Sequence, residues 1–374
     1  MRISESAMLG SCILLLACQL CRGQVQDVAV EAAEAPAMLL DLQFTSDGAR
    51  MITAGDAVRV FDTATGTLLH QHRTSRMTRT ISLSPIRDEL YATGNDEGKI
   101  QFWYERKPEP FASSAGYQGL VLDVDFLPDG KHLISCAIRY TEARTVHSEV
   151  RLIEYETGTV VHELDLPDTK ISCAAISKDG SKLILPQYIP DSEEKFKSKL
   201  EVYELGNWDV VQSIPFADGF ALDVALIEAT GKLIITGGEC VRLSPSSCMP
   251  TGRIWVANIS SSEPATLIET PECGYFHSIS LSPDEKSFAT GTDVIRKYFN
   301  AQGRETGGAV ISQAEVRDVE TGALIWSKDC DVGDAYGVRF SPDGTQVACC
   351  SRSFVYLLDA ATGEEKLKVQ AKNR

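Results

Sequence analysis

The sequence predicts an all-β protein: one seven-bladed β-propeller of four-stranded antiparallel blades. Three observations carry this expectation. Seven strand-like runs each end in a large apolar residue, at Phe44, Leu83, Phe126, Ile176, Leu226, Leu281 and Phe340. A tight-turn sequence belongs to each of them, FTSDG, LSPIRD, FLPDG, ISKDG, LIEATG, LSPDE and FSPDG in order. Successive anchors are 39, 43, 50, 50, 55 and 59 residues apart, a spacing that fits a unit of four short strands. Seven such units use nearly all of the 374 residues, so a single domain is expected over 38–370.

Repeat 1 displays the plan. LLDLQF (39–44) reads as strand a, TSDG (45–48) as a turn and ARMITAG (49–55) as strand b. AVRVFD (57–62) reads as strand c, TATG (63–66) as a turn and TLLHQH (67–72) as strand d. Asp-Gly and Thr-Gly bound these runs because glycine accepts the positive φ that such turns need. Short apolar runs between them suit strands buried on both faces. The last repeat starts at Asp334 and ends in EEKLKVQ (364–370), a complete strand d. Ring closure is therefore expected without a borrowed N-terminal strand, although VQDVAVE (25–31) remains open as an edge addition.

Ahead of the repeats, Arg2 precedes the apolar run AMLGSCILLLA (7–17) and the polar stretch CRGQVQD. A charged start, a short apolar core and a small residue at Gly23 have the layout of a secretory signal peptide over 1–23, with 24–37 as a linker. The run is too short to span a bilayer comfortably. LLAC (15–18) resembles a bacterial lipobox, which makes lipid attachment at Cys18 the alternative. Either reading places the protein outside the cytoplasm, in the periplasm or secreted.

The chain carries a formal charge of −16, and Arg2, Arg22 and Glu5 sum to +1, which leaves −17 after residue 23. So acidic a surface argues against nucleic acid and anionic lipid as partners. Export makes disulfides feasible. Cys240 and Cys248 bracket one connection, ECVRLSPSSC, and are expected to pair; Cys273–Cys330 is the second candidate. Cys136, Cys173, Cys349 and Cys350 sit in apolar strand patterns and read as buried thiols.

Repeats 2, 3, 6 and 7 resemble WD40 repeats, whose strand a often ends in FSPDG and whose third strand ends in Trp-Asp. At the Trp position the chain carries Phe61, Trp103, Ile153, Tyr203, Trp255, Arg317 and Leu358. At the Asp position it carries Asp62, Tyr104, Glu154, Glu204, Val256, Asp318 and Asp359. No repeat holds both residues, and none begins with Gly-His. The resemblance thus implies a divergent WD40-like propeller (quinoprotein-like, YVTN-type), of the kind exported by bacteria, without the family's Asp–His–Ser–Trp network.

The extra length of the later repeats falls mostly between strands b and c. Those connections are tight in repeats 7, 1 and 2 but long in repeats 3 to 6, at 137–149, 186–199, 238–252 and 292–314. In a propeller the b–c and d–a connections share one face, so four long segments crowd one arc of one face. Long connections on a rigid scaffold are where binding usually lives. They contain Arg139, Tyr140, Arg144, Tyr188, Arg242, Arg296, Tyr298 and Arg304, residue types favoured at binding hot spots.

Strand a should line the central channel, with Asp41, Asp123 and Asp223 at one equivalent position and Asp125 two residues past Asp123. Such carboxylates can ligate Ca²⁺, or bond neighbouring backbone amides instead. Of six histidines, only His147 and His277 fall clearly on the long-connection side, and neither has a nucleophile motif beside it. No cofactor is implied otherwise. Two functions remain. The first is an exported monomeric platform that binds a protein or glycan partner through the long connections of blades 3 to 6. The other is a propeller enzyme, a lactonase-like hydrolase or quinone-dependent dehydrogenase using channel carboxylates and a metal. The expectation of export has a direct check: N-terminal sequencing of protein from its native host should begin near Gln24, and an intact Met1 overturns it.

Overall fold

The computed structural model describes residues 37–372 apart from 115, 142–144, 191–195, 217–218, 245–246, 269, 271–273, 301, 303 and 333–334. The expected leader, Cys18, residues 24–36 of the linker and the 25–31 segment lie outside the described residues. Among the described residues the chain forms seven four-stranded antiparallel sheets and no helix.

Blade 1 holds β1 (Leu39–Phe44), β2 (Arg50–Gly55), β3 (Ala57–Asp62) and β4 (Leu68–Arg73). Blade 2 holds β5 (Thr78–Ser84), β6 (Arg87–Asn95), β7 (Ile100–Tyr104) and β8 (Ala112–Ser113). Blade 3 holds β9 (Leu120–Phe126), β10 (His132–Tyr140), β11 (Val146–Glu154) and β12 (Thr159–Pro167). Blade 4 holds β13 (Ala175–Ile176), β14 (Lys182–Pro190), β15 (Phe196–Glu204) and β16 (Asp209–Phe216). Blade 5 holds β17 (Phe220–Ile227), β18 (Lys232–Ser244), β19 (Ser247–Asn258) and β20 (Thr266–Ile268). Blade 6 holds β21 (Phe276–Leu281), β22 (Ser287–Phe299), β23 (Glu305–Asp318) and β24 (Leu324–Val332). Blade 7 holds β25 (Ala335–Phe340), β26 (Gln346–Ser351), β27 (Phe354–Asp359) and β28 (Glu365–Gln370).

Among the described residues every blade takes four consecutive strands in spatial order, with no strand borrowed from another blade. The first strands pack on one another, β1 against β5 and β25, and β21 against β17 and β25, which makes them the inner wall. The ring closes where Leu39 N–H donates to Arg352 C=O at 2.6 Å and the Ser353 hydroxyl donates to Ala37 C=O.

The core lies in the seams between blades. Alternating side chains on a central strand point to both faces of its sheet, so each blade must be covered twice. Ile52 and Val60 meet Tyr91 and Trp103 between blades 1 and 2. Val202 and Ile214 meet Leu233 and Trp255 between blades 4 and 5. Val355 and Val369 meet Leu42 and Met51 across the closing seam. Arg317, at the Trp position of repeat 6, is buried with its guanidinium on Glu315 at 2.8 Å and 6.0 Å from the Phe276 ring centroid.

The recurring turn has a common mechanism. Ser177, Ser282 and Ser341 each donate a hydroxyl hydrogen bond to the aspartate two residues on, at 2.6–2.7 Å. Each hydroxyl also accepts the backbone N–H five residues on, at 2.9–3.0 Å. Thr45 repeats both bonds with Asp47 and Arg50. Those hydroxyl bonds hold the Asp47, Asp179, Asp284 and Asp343 carboxyls below their usual range, Asp179 at about 2. The motif that announces the repeat is therefore a structural clasp.

The long connections are a correction to the sequence reading. They are mainly strand rather than loop: b and c simply continue past the ring as β-hairpins. In blade 7 these strands have 6 residues each, in blade 3 they have 9 each, and in blade 6 they have 13 and 14. The pairing runs on from Phe288↔Arg317 inside the blade to Tyr298↔Gly307 near the tip. The composition of these segments hid the strands because a projecting hairpin needs no apolar alternation.

Ser341→Ala removes both clasp bonds at a buried site and strands the Gln346 N–H, so it should destabilise the fold by about 1–3 kcal/mol. Denaturant unfolding measures this, and a loss no larger than that of the exposed Thr345→Ala substitution would refute the clasp.

Candidate functional site

Two regions carry the polar and aromatic groups, the channel and the hairpin face above it. A backbone device shapes both. In six of the seven first strands the register slips by one residue, at Leu40, Arg79, Leu122, Leu222, His277 and Tyr336. A bulge of this kind bends the strand and re-aims a side chain. It stands one residue ahead of the shared channel position occupied by Asp41, Thr80, Asp123, Asp223, Ser278 and Gly337.

Asp41, Asp123 and Asp223 fasten blades 1, 3 and 5 each to the next one. Asp41 accepts the Ile81 N–H at 3.1 Å, Asp123 the Ala174 N–H at 2.8 Å and Asp223 the Ile279 N–H at 2.9 Å. Asp41 and Asp223 also take the N–H of the residue after them, each at 2.8 Å. Of the two roles open to these carboxylates, backbone bonding is the one the geometry displays. The cation among them is the chain's own Arg339, 3.4 Å from Asp41. Among the described residues no group of three side chains is arranged to hold a metal ion.

Burial raises the affinity of these carboxyls for protons. It pushes Asp223 up to about 6 and Asp125 up to about 7, against the pull of Arg339 and with repulsion from the other aspartates. Burial and the Asp125 and Asp223 charges push Asp123 well up; burial raises Asp41 too. Burial works to lower the Arg339 proton affinity, but the four carboxylates hold its proton more firmly than usual.

On the hairpin face, rings from four consecutive blades run in a row along the channel mouth. Tyr188 meets Phe220 edge-on with centroids 6.1 Å apart, and Phe220 meets Tyr275 at 5.1 Å. Tyr275 meets His277 at 6.4 Å, and His277 meets Tyr336 at 5.6 Å. All five are half-buried, each with part of its surface open. His277 Nε2 lies 2.8 Å from Asp293 Oδ2 of the blade 6 hairpin, and the other oxygen of that buried carboxylate meets no protein donor. Gly238 makes room for the Tyr275 ring: a Cβ there would stand 2.4 Å from its Cδ1.

The residues singled out from sequence scatter over this face. Tyr140 is 48% exposed at the end of β10, and its hydroxyl contributes to the raised proton affinity of Tyr188, whose largest cause is burial. Arg139 lies half-buried, 3.7 Å from Glu149. Arg296 projects from β22 and clasps Asp329 at 2.9 Å, while Arg304 is exposed near the blade 6 tip. Arg144 and the side chains of Arg242, Tyr298, Cys240 and Cys248 lie outside the described residues, as does Cys273. Phe220, Tyr275, Asp293 and Tyr336 were not anticipated. The available signal was topological, since first-strand starts share the face of the b–c hairpins.

No family model matches the chain. Subunit I of eukaryotic translation initiation factor 3 from Bombyx mori is 30% identical over 112 residues, which cover 26% of this chain and 34% of that protein. The match thus spans about a third of the relative's length. Among solved structures, Kuenenia stuttgartiensis hydrazine synthase superposes with a TM-score of 0.69 at 12% identity, covering 91% of this chain and 99% of that one. This likeness extends to the fold. The protein is a seven-bladed β-propeller with WD-repeat-like blades.

The channel carboxyls set a pH dependence. Folded Asp125 and Asp223 take up protons at about 7 and about 6, above their ordinary 3.8, so the folded state holds more protons between these limits. Stability contributed by these groups is therefore lost as pH rises through that window. Asp125→Asn should lessen the drop in thermal midpoint between about pH 5 and about pH 8 relative to the parent chain. An unchanged or larger drop would count against the assignment.

Proposed function

We propose that this protein is an exported binding platform that engages a protein or glycan partner through the b–c hairpins of blades 3 to 6 and the aromatic row at their base. One observation carries the reading: four adjacent blades extend their hairpins beyond the ring on the same face, whereas the clasped turns opposite stay short. A specific protein interface needs roughly 800 Å² per partner, which projecting hairpins supply and short clasped turns do not. Tyrosine and arginine offer large contact area with directional polar groups, the usual composition of interface anchors. Arg139, Tyr140, Tyr188, Arg296 and Arg304 are the described candidates among those anchors. The channel carboxylates favour this reading over metal-assisted catalysis, because their oxygens are engaged by backbone amides and Arg339.

The test is a shortened blade 6 hairpin. Removing all of 292–314 would cut into the ring, since Thr292, Ser312 and Ala314 are fully buried. The better cut joins Ile295 to Val310, which face each other across the hairpin, through a two-residue Asn-Gly turn. The shortened chain should fold with an unchanged far-ultraviolet spectrum. It should also bind the partner captured by the full chain, or an immobilised oligosaccharide, at least tenfold more weakly (about 1.4 kcal/mol). Equal affinity in the two chains overturns the proposal.

A further inference from the structure

We propose that Cys330 and Cys349 are a disulfide-forming pair that ties blade 6 to blade 7. The two residues come from different blades, the outer strand β24 and the second strand β26. Cys349 is fully buried and Cys330 half-buried, and both belong to the apolar seam that Ala314, Trp326 and Val338 also line.

The backbone brings them together in two steps. First, β24 bulges: Gln313 pairs with Asp329 and Ile311 with Val332, so Cys330 and Asp331 together face Ser312. Ser312 is taken up by Asp331, whose N–H donates to its hydroxyl at 3.0 Å and whose C=O accepts from it at 2.9 Å. Second, Cys330 turns to the next blade, where its C=O accepts the Tyr356 hydroxyl at 2.8 Å. Tyr356 is the cross-strand partner of Cys349. The contact that fixes the Cys330 backbone thus holds it against the β26–β27 pair that carries Cys349, within the same apolar seam. The neighbouring Cys330 thiol, together with burial, keeps Cys349 protonated well above the ordinary thiol range, while the Cys330 thiol itself donates to Lys328 C=O at 3.6 Å.

Neighbouring Cys350 points the other way, into the seam between blades 7 and 1. Adjacent residues of a strand face opposite sides, so it does not compete.

The chemistry is thiol–disulfide exchange with glutathione disulfide or another disulfide oxidant. Cys330 is the more accessible thiol. Its thiolate attacks one sulfur of the oxidant, expels one glutathione thiolate and leaves a mixed disulfide on Cys330. Cys349 then loses its proton and attacks the Cys330 sulfur, forming the Cys330–Cys349 bond and expelling the second glutathione. Two protein thiols are oxidised, one disulfide is reduced, and the two protons end on the two glutathiones. Because Cys349 is held protonated, the second step is slow in the folded protein and fast during folding, before the seam closes.

The experiment refolds the full chain from denaturant in a glutathione redox buffer, alkylates the remaining thiols in denaturant and maps peptides by mass. A parallel sample is oxidised without unfolding. A peptide joining Cys330 to Cys349 in the refolded sample, with a slower yield in the native one, is the expected result. The thermal midpoint should rise on oxidation, and Cys330→Ser should abolish that rise while leaving the reduced midpoint nearly unchanged. Full alkylation of both residues after refolding under oxidant overturns the proposal. So does Cys330 found joined to any other cysteine, Cys273 included.

Discussion

Two-sided burial governs this molecule. The central strands of every blade are largely buried on both faces, so no blade can stand as the end of a stack. Each needs a neighbour on either side, and a twisted stack that must cover both ends becomes a ring. The seams carry the core, and the closing seam is built like the others, from Leu42 and Met51 against Val355 and Val369. This explains why blade 7 needs no borrowed strand. Its four strands are complete, and apolar contact with one backbone bond and one Ser353 hydroxyl bond closes the circle.

The polar groups of the inner wall follow from that geometry. First strands crowd together at the axis, where they have no room for large apolar side chains but still have amides facing the neighbouring blade. Asp41, Asp123 and Asp223 answer those amides in alternate blades. Ser82 and Ser280 do so elsewhere, accepting from Phe126 at 3.1 Å and Phe340 at 3.0 Å. Collecting carboxylates in a narrow channel raises their proton affinity, and Arg339 limits the cost. A buried charge cluster of this kind survives only with its hydrogen bonds satisfied.

Above the wall, a bulge repeated at one position in six blades bends each first strand as it enters the ring. In blades 6 and 7 the bulged residues are His277 and Tyr336, which continue a row begun by Tyr188 and Phe220. The hairpins grow from 9-residue strands in blade 3 to 13 and 14 in blade 6, so the face is a graded wall rather than a flat rim. Rigid strands, rather than free loops, carry the exposed Tyr140 and Arg296.

The sequence alone determined the number of blades, their boundaries and the clasped turns, because a Ser-x-Asp-Gly turn is a local structure with local hydrogen bonds. It also marked which channel positions are equivalent, since repeats in phase must share geometry. Only the tertiary structure decided what those positions do. Asp223 reaches an amide of Ile279, 56 residues away, and Cys330 meets Cys349 only because a bulge turns one strand onto the next blade. The projecting hairpins were missed for a related reason. Period-two alternation signals a strand with one buried face, and a hairpin standing clear of the ring has none to signal.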